Sequence, residues 1–177
     1  MKSKLISLSA ISAGFVAICL LVGSIFEVAD LSAIFLSSLF VTMPLYFKSY
    51  KFCFLTYLVG GIIAFACSGF NFLSLVFPAY FAFFGIYPII KFLFLDKKTN
   101  KILSIIIGLI WMVAVVIGLY FYYTLFMGIS LNGLPQWVID YILIFIVVLS
   151  IVFFFVYDKF LSIAQKVVCF YLNKIIK

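Results

Sequence analysis

The chain has 177 residues, of which 68% are hydrophobic and 10% charged, with a mean hydropathy of +1.41. Soluble domains are close to half apolar and about a quarter charged, so the composition excludes a water-soluble globular protein. The net charge of +7 comes from lysine alone, and neither histidine nor arginine is present. Without histidine the usual proton shuttle and the commonest metal ligand are missing.

The first apolar run, Leu5–Phe26, follows Lys2 and Lys4. It carries Ser9-x-x-x-Ala13-x-x-x-Ala17, with Ala10 and Gly14 alongside. Small residues four apart let a second helix approach closely, and van der Waals contact then replaces the hydrophobic drive that lipid removes. Packing within the subunit and docking of a partner protein are both open for this stripe. A lysine-led apolar start also invites comparison with a secretory signal. The run exceeds the usual apolar segment of about 7–15 residues, and small residues are poorly placed for cleavage, so the sequence predicts that span 1 is retained.

Five further runs follow: Leu31–Phe47, Phe52–Phe70, Phe72–Leu95, Ile102–Met127 and Trp137–Tyr157. Each approaches the length needed to cross a ~30 Å hydrocarbon core at ~1.5 Å per residue. The second is short, with Pro44 near its end, and the fifth is long enough to tilt. The fourth holds Phe77-Pro78-Ala79-Tyr80-Phe81-Ala82-Phe83-Phe84-Gly85-Ile86-Tyr87-Pro88-Ile89-Ile90-Lys91. Two prolines and a glycine break a soluble helix, whereas neighbouring membrane helices can re-satisfy the freed backbone groups. The stretch therefore predicts a kinked membrane helix that stops where Lys91 reaches the headgroups. After Tyr157 the tail Asp158–Lys177 keeps a helical period, with Lys159, Ser162, Lys166, Asn173 and Lys177 on one stripe. Leu161, Ala164, Val168, Leu172 and Ile175 lie opposite. Two readings stand for this tail: an amphipathic helix on the cytoplasmic surface, whether membrane anchor or partner-docking element, or an extension of span 6.

The expected fold is thus an all-α integral membrane protein of six transmembrane helices in a single domain. With six spans, all twelve lysines fall on one side, and the opposite loops hold Glu27, Asp30 and Asp140. The positive-inside rule then places both termini in the cytoplasm, and it accounts for the basic charge without nucleic acid. Four cysteines, Cys19, Cys53, Cys67 and Cys169, share no short spacing, and read as small hydrophobes, not as a disulfide or metal framework.

The lysine-free side gathers the polar and aromatic material. Ser68 and Asn71 lie at the second turn there, and Asn132, Gln136, Trp137 and Asp140 in and after the third, with Tyr120, Tyr122 and Tyr123 arriving from span 5. An interfacial aromatic belt accounts for most of the rings, and a solvated loop for Glu27 and Asp30. Asp140 sits about one turn inside span 6, where ionisable groups line cavities or pair. Asn71, Tyr123, Asn132, Gln136, Trp137 and Asp140 are therefore the candidate substrate-binding residues. Flat apolar rings with a few polar anchors suit a small ring-bearing molecule. Three acids and no lysine favour a neutral or cationic one. Catalytic motifs are absent: no Gly-x-Ser-x-Gly, no His-Glu-x-x-His, no phosphate-cradling glycine loop. A nucleophile would also lack its histidine. The sequence predicts no enzyme, no cofactor and no metal.

The length, the six-span topology, the Ser9, Ala13, Ala17 stripe, the segment Glu27-Val28-Ala29-Asp30-Leu31-Ser32 leading into a short second span, and the Pro78…Lys91 stretch together resemble the substrate-binding S components of energy-coupling-factor transporters. The resemblance implies a subunit of the bacterial plasma membrane that binds a vitamin or related micronutrient near the outer surface. It also implies that Ser9, Ala13 and Ala17 dock on a transmembrane coupling subunit, which is attached to two ATPases. Cobalt and nickel members use an N-terminal histidine, which this chain lacks. The alternatives are a structural membrane protein of the rod-shape and cell-wall machinery, and a lipid-handling membrane enzyme. The last predicts a polar cluster at one headgroup level.

Overall fold

A computed structural model describes residues 2–71, 73–96, 101–126 and 141–176. Helix α1 (Lys2–Ile25) leads through a 3-10 turn (Glu27–Ala29) into α2 (Asp30–Val41), and a second 3-10 segment (Met43–Phe47) leads to α3 (Tyr50–Cys67). Then come α4 (Val76–Ala79), a π-helical turn (Tyr80–Phe84), α5 (Tyr87–Asp96), α6 (Lys101–Phe126) and α7 (Ile142–Ile176). No strand occurs among the described residues. Among the described residues six stretches are long and apolar enough to cross a membrane: Ser3–Ile25, Asp30–Phe47, Tyr50–Cys67, Val76–Phe94, Ile102–Leu125 and Ile142–Lys174. Every described lysine lies toward one end of this bundle, the lysine end; Ile25, Asp30, Cys67, Val76, Phe126 and Ile142 mark the other, the acidic end.

Helix α1 packs along both α2 and α3. Ser9, Ala13 and Ala17 are buried, and Ser9 and Ala13 serve the contact with α3. A Cβ on Gly60 would lie 2.7 Å from Val16 Cγ1 and 3.0 Å from the Ala13 carbonyl oxygen. Thr56 Oγ1 donates to the Ser9 carbonyl at 3.4 Å. The stripe is thus occupied by intramolecular packing and is not bare. The outward face of α1 is built instead from Ile6, Ile11, Phe15, Ile18 and Val22, all exposed.

The fourth span is the most enclosed of the six. Its Pro78 falls within α4 and its Pro88 at the second residue of α5, where a missing N–H costs little because no intrahelical acceptor faces it. Between them the backbone opens into the π turn, closed by Gly85 N–H donating to the Tyr80 carbonyl at 2.9 Å. Tyrosines brace the turn. Tyr57 Oη donates to the Phe81 carbonyl at 3.1 Å and Tyr157 Oη to the Phe84 carbonyl at 3.2 Å, while Tyr80 Oη donates to the Tyr57 carbonyl at 3.1 Å. Gly85 has to be glycine on packing grounds, since any Cβ there would run into the Tyr57 ring. Around it Phe83 stacks on Tyr87 at 4.8 Å and Phe84 meets Tyr157 edge-on at 4.9 Å. These aromatics, with Phe77, Tyr80 and Phe154, are buried and form the centre of the core.

One sequence expectation is corrected at the lysine end, and one open choice is resolved. Lys91 does not reach out of the bundle: it is 6% exposed. Its Nζ lies 2.6 Å from Asp158 Oδ1 and donates to the Asp158 carbonyl at 2.6 Å and to Ser162 Oγ at 2.7 Å. Tyr87 Oη donates to the same Asp158 carboxylate at 2.5 Å. Of the two readings of the tail, the structure has the extension of span 6, for α7 continues unbroken through Asp158 to Ile176. Asp158 is tolerated mid-helix because Lys91 and Tyr87 replace its water. Further along, Gln165 Nε2 donates to the Thr42 carbonyl at 3.4 Å, and Tyr46 Oη donates to Asn173 Oδ1 at 2.7 Å. The predicted polar stripe therefore divides. Ser162 and Asn173 bond to the bundle, whereas Lys159 and Lys166 are exposed. The helix has 35 residues, about 52 Å at the standard rise, so it must tilt or project beyond a ~30 Å hydrocarbon layer.

Candidate functional site

Helices α2, α4, α6 and α7 do not close on one another at the acidic end. They leave an apolar cavity of about 410 Å³. Its walls are Leu31 and Ile34 of α2, Leu75 and Ala79 at the start of the fourth span, Met112, Val116 and Leu119 of α6, and Ile146, Leu149 and Phe153 of α7. The one hydroxyl from α7, Ser150, donates back to the Val147 carbonyl at 2.9 Å, so the surface offered from that side is hydrocarbon.

A second cavity of about 370 Å³ adjoins it, lined by Ser24, Asp30, Asn71, Leu73, Ser74, Leu75 and Tyr123. Leu75 and Tyr123 belong to both walls. The polar cavity depends on the turn after α3. Gly69 (φ 70°) and Phe70 (φ 56°) both adopt left-handed backbone, which a phenylalanine takes only under constraint. The Phe70 ring packs edge-on against Phe65 at 5.3 Å, and its N–H donates to the Phe65 carbonyl at 3.1 Å. That pair holds the turn. Asn71 follows, its N–H donating to Ser68 Oγ at 3.4 Å and its Oδ1 accepting from Leu73 N–H at 3.1 Å. Tyr123 Oη crosses from α6 to donate to the Leu73 carbonyl at 3.3 Å. Asp30, in the first turn of α2, is half-buried and supplies a carboxylate to the lining.

Two of the residues expected at a site, Asn71 and Tyr123, thus meet in one cavity. Asn132, Gln136, Trp137 and Asp140 lie outside the described residues. Asp30 was expected in a solvated loop, and the structure places it in the cavity wall instead. Ser24, Ser74 and the hydrocarbon lining had no signal in the sequence beyond their composition. At the lysine end, Tyr87, Lys91, Asp158 and Ser162 form a polar cluster, as a lipid-handling enzyme would have, but they bond to one another. Among the described residues no group of three or more histidine, cysteine or acidic side chains could hold a metal ion. No family model, no curated protein and no solved structure matches the chain.

Proposed function

We propose that this chain is a multi-pass membrane subunit that binds a small molecule at its acidic end and performs no chemistry on it, in the manner of the S components it resembles. One observation carries this reading: an apolar cavity and a polar cavity share the walls Leu75 and Tyr123. Their volumes fall in the usual range for small-molecule sites, about 300–1,000 Å³. A few polar groups beside a larger apolar surface is also the usual make-up of such sites. The lysines gathered at the opposite end support a cytoplasmic placement of both termini in a bacterial plasma membrane. The acidic end would then face outward, as import requires.

In this role the chain hands its ligand to a transmembrane coupling subunit powered by ATPases. The Ser9, Ala13, Ala17 stripe is buried within the isolated chain, and the exposed apolar face of α1 lies beside it. The reading is tested by purifying the tagged chain from its native membranes in mild detergent. A bound small molecule, together with a transmembrane partner and ATPase subunits, is the expected result. Recovery of the chain alone and ligand-free from membranes that contain such ATPases would count against it.

A further inference from the structure

Resting on the binding reading above, we propose that the apolar cavity takes one hydrocarbon chain of an amphiphile, lying along the helices with its polar head in the adjoining cavity. The shape of the chamber carries this. Met112, Val116, Leu119 and Tyr123 line it from α6, and at spacings of four, three and four they share one face of that helix. From Tyr123 to Met112 the wall runs about 16 Å at the standard rise. That is about half of a ~30 Å hydrocarbon core, the depth of one leaflet. The inner end is closed. Phe84 and Met112 are buried there, and Phe84 meets Phe153 of α7 edge-on at 6.2 Å. The chamber is therefore a blind slot that starts at the acidic end and runs parallel to lipid tails.

The slot also opens sideways. Leu31 of α2 is 51% exposed and Leu149 of α7 is 71% exposed, yet both line it. The outward residues of α7 around Leu149, among them Phe145, Val148 and Val152, are apolar too, so this rim meets hydrocarbon tails, which are as apolar as leucine. A chain can enter there without crossing water. At the acidic end the wall changes character at Tyr123. Its side chain lines both cavities and its hydroxyl donates to the Leu73 carbonyl, next to Ser24, Asn71 and Ser74 in the polar wall. A compact polar ligand would occupy that space and leave the slot unfilled, forfeiting its dispersion contacts. An amphiphile fills both.

The test uses the full chain in phosphatidylcholine nanodiscs and two probes, a dodecyl glycerol ether and a phosphatidylcholine with one dodecanoyl chain. Each is made with a diazirine near the chain end or, separately, near the head. The chain-end diazirine should label Met112 or Phe84, and the head-side diazirine Leu31 or Tyr123. Labelling by the phospholipid identifies the occupant as a resident bilayer lipid. Labelling by the glycerol ether alone identifies it as a captured single-chain amphiphile. Leu119→Trp fills the slot between the two depths. It should reduce labelling of Met112 and Phe84 at least tenfold and leave that of outward Val152 unchanged. Labelling confined to outward residues, or labelling of Met112 that ignores Leu119→Trp, overturns the proposal. So does equal labelling of Met112 from both diazirine positions, since the chain would then have no fixed direction. If Leu119→Trp does not fold, the depth comparison on the unaltered protein decides alone. Failure of the broader reading looks different. If neither probe enters the cavity but a co-purified molecule is expelled by Leu119→Trp, binding stands and the chain falls; if the cavity holds nothing at all, both fall.

Discussion

Lys91 Nζ and Asp158 Oδ1 meet at 2.6 Å between α5 and α7, at side-chain exposures of 7% and 20%. This pair explains how a helix can carry a carboxylate through the packed part of a membrane bundle. Breaking one side of a buried pair leaves the other charge uncompensated, at about 3–5 kcal/mol, while replacing both with apolar groups is often close to neutral. Lys91→Met and Asp158→Leu should each lower the melting temperature of the detergent-purified protein markedly. The double variant should recover most of the loss. Additive losses in the double variant would mean that the two residues act separately.

Gly85 and Gly118 make a matched contrast. A Cβ on Gly85 would enter the Tyr57 ring, whereas one on Gly118 meets nothing within 4 Å. Gly85→Ala should therefore cost about 1–3 kcal/mol through overpacking. Gly118→Ala should stay within about 0.5 kcal/mol of the parent. Denaturant titration in mixed micelles ranks the two, and equal effects would refute the close approach of α3 to the fourth span.

The small-residue stripe makes a similar forecast. Ala13 is buried against α3 and Ile11 is exposed on the opposite face of α1. Ala13→Trp should reduce thermal stability of the isolated chain, by about 1–3 kcal/mol, and Ile11→Trp should not. Equal tolerance of both would return Ala13 to the role of an open docking position.

Much of the architecture could be read from the sequence, because the length of an apolar run and the side on which lysines collect are local properties. Proline and glycine in the fourth span announced an irregular helix, and the π turn between Tyr80 and Phe84 is that irregularity. The sequence leaves the extent of the last span between two readings. Asp158-Lys159 looks like a membrane exit until Lys91, 67 positions away, is placed against Asp158. The cavity was half legible. Asn71 and Tyr123 stood out as polar and aromatic groups on the lysine-free side. Ile34, Met112 and Leu149 did not, because a membrane helix is apolar all round and composition does not separate a residue facing lipid from one facing a cavity.

Orientation is the next test. Cys67 is exposed at the acidic end and Lys51 is exposed at the lysine end. With the other three cysteines replaced by alanine, Cys67 should react with an impermeant maleimide on intact cells. A Lys51→Cys variant also lacking Cys67 should react only after the membrane is opened. The reverse pattern would invert the topology and put the cavities on the cytoplasmic side.

The central claim is that the adjoining cavities hold a ligand, and native mass spectrometry of the purified chain tests it most directly. Leu119 lines the apolar cavity of about 410 Å³, and a tryptophan in its place would occupy much of that space. The unaltered protein should carry one small molecule per chain, and Leu119→Trp should lose it while still eluting as a single folded species. An unaltered protein that carries nothing, or a Leu119→Trp variant that keeps full occupancy, would contradict the account.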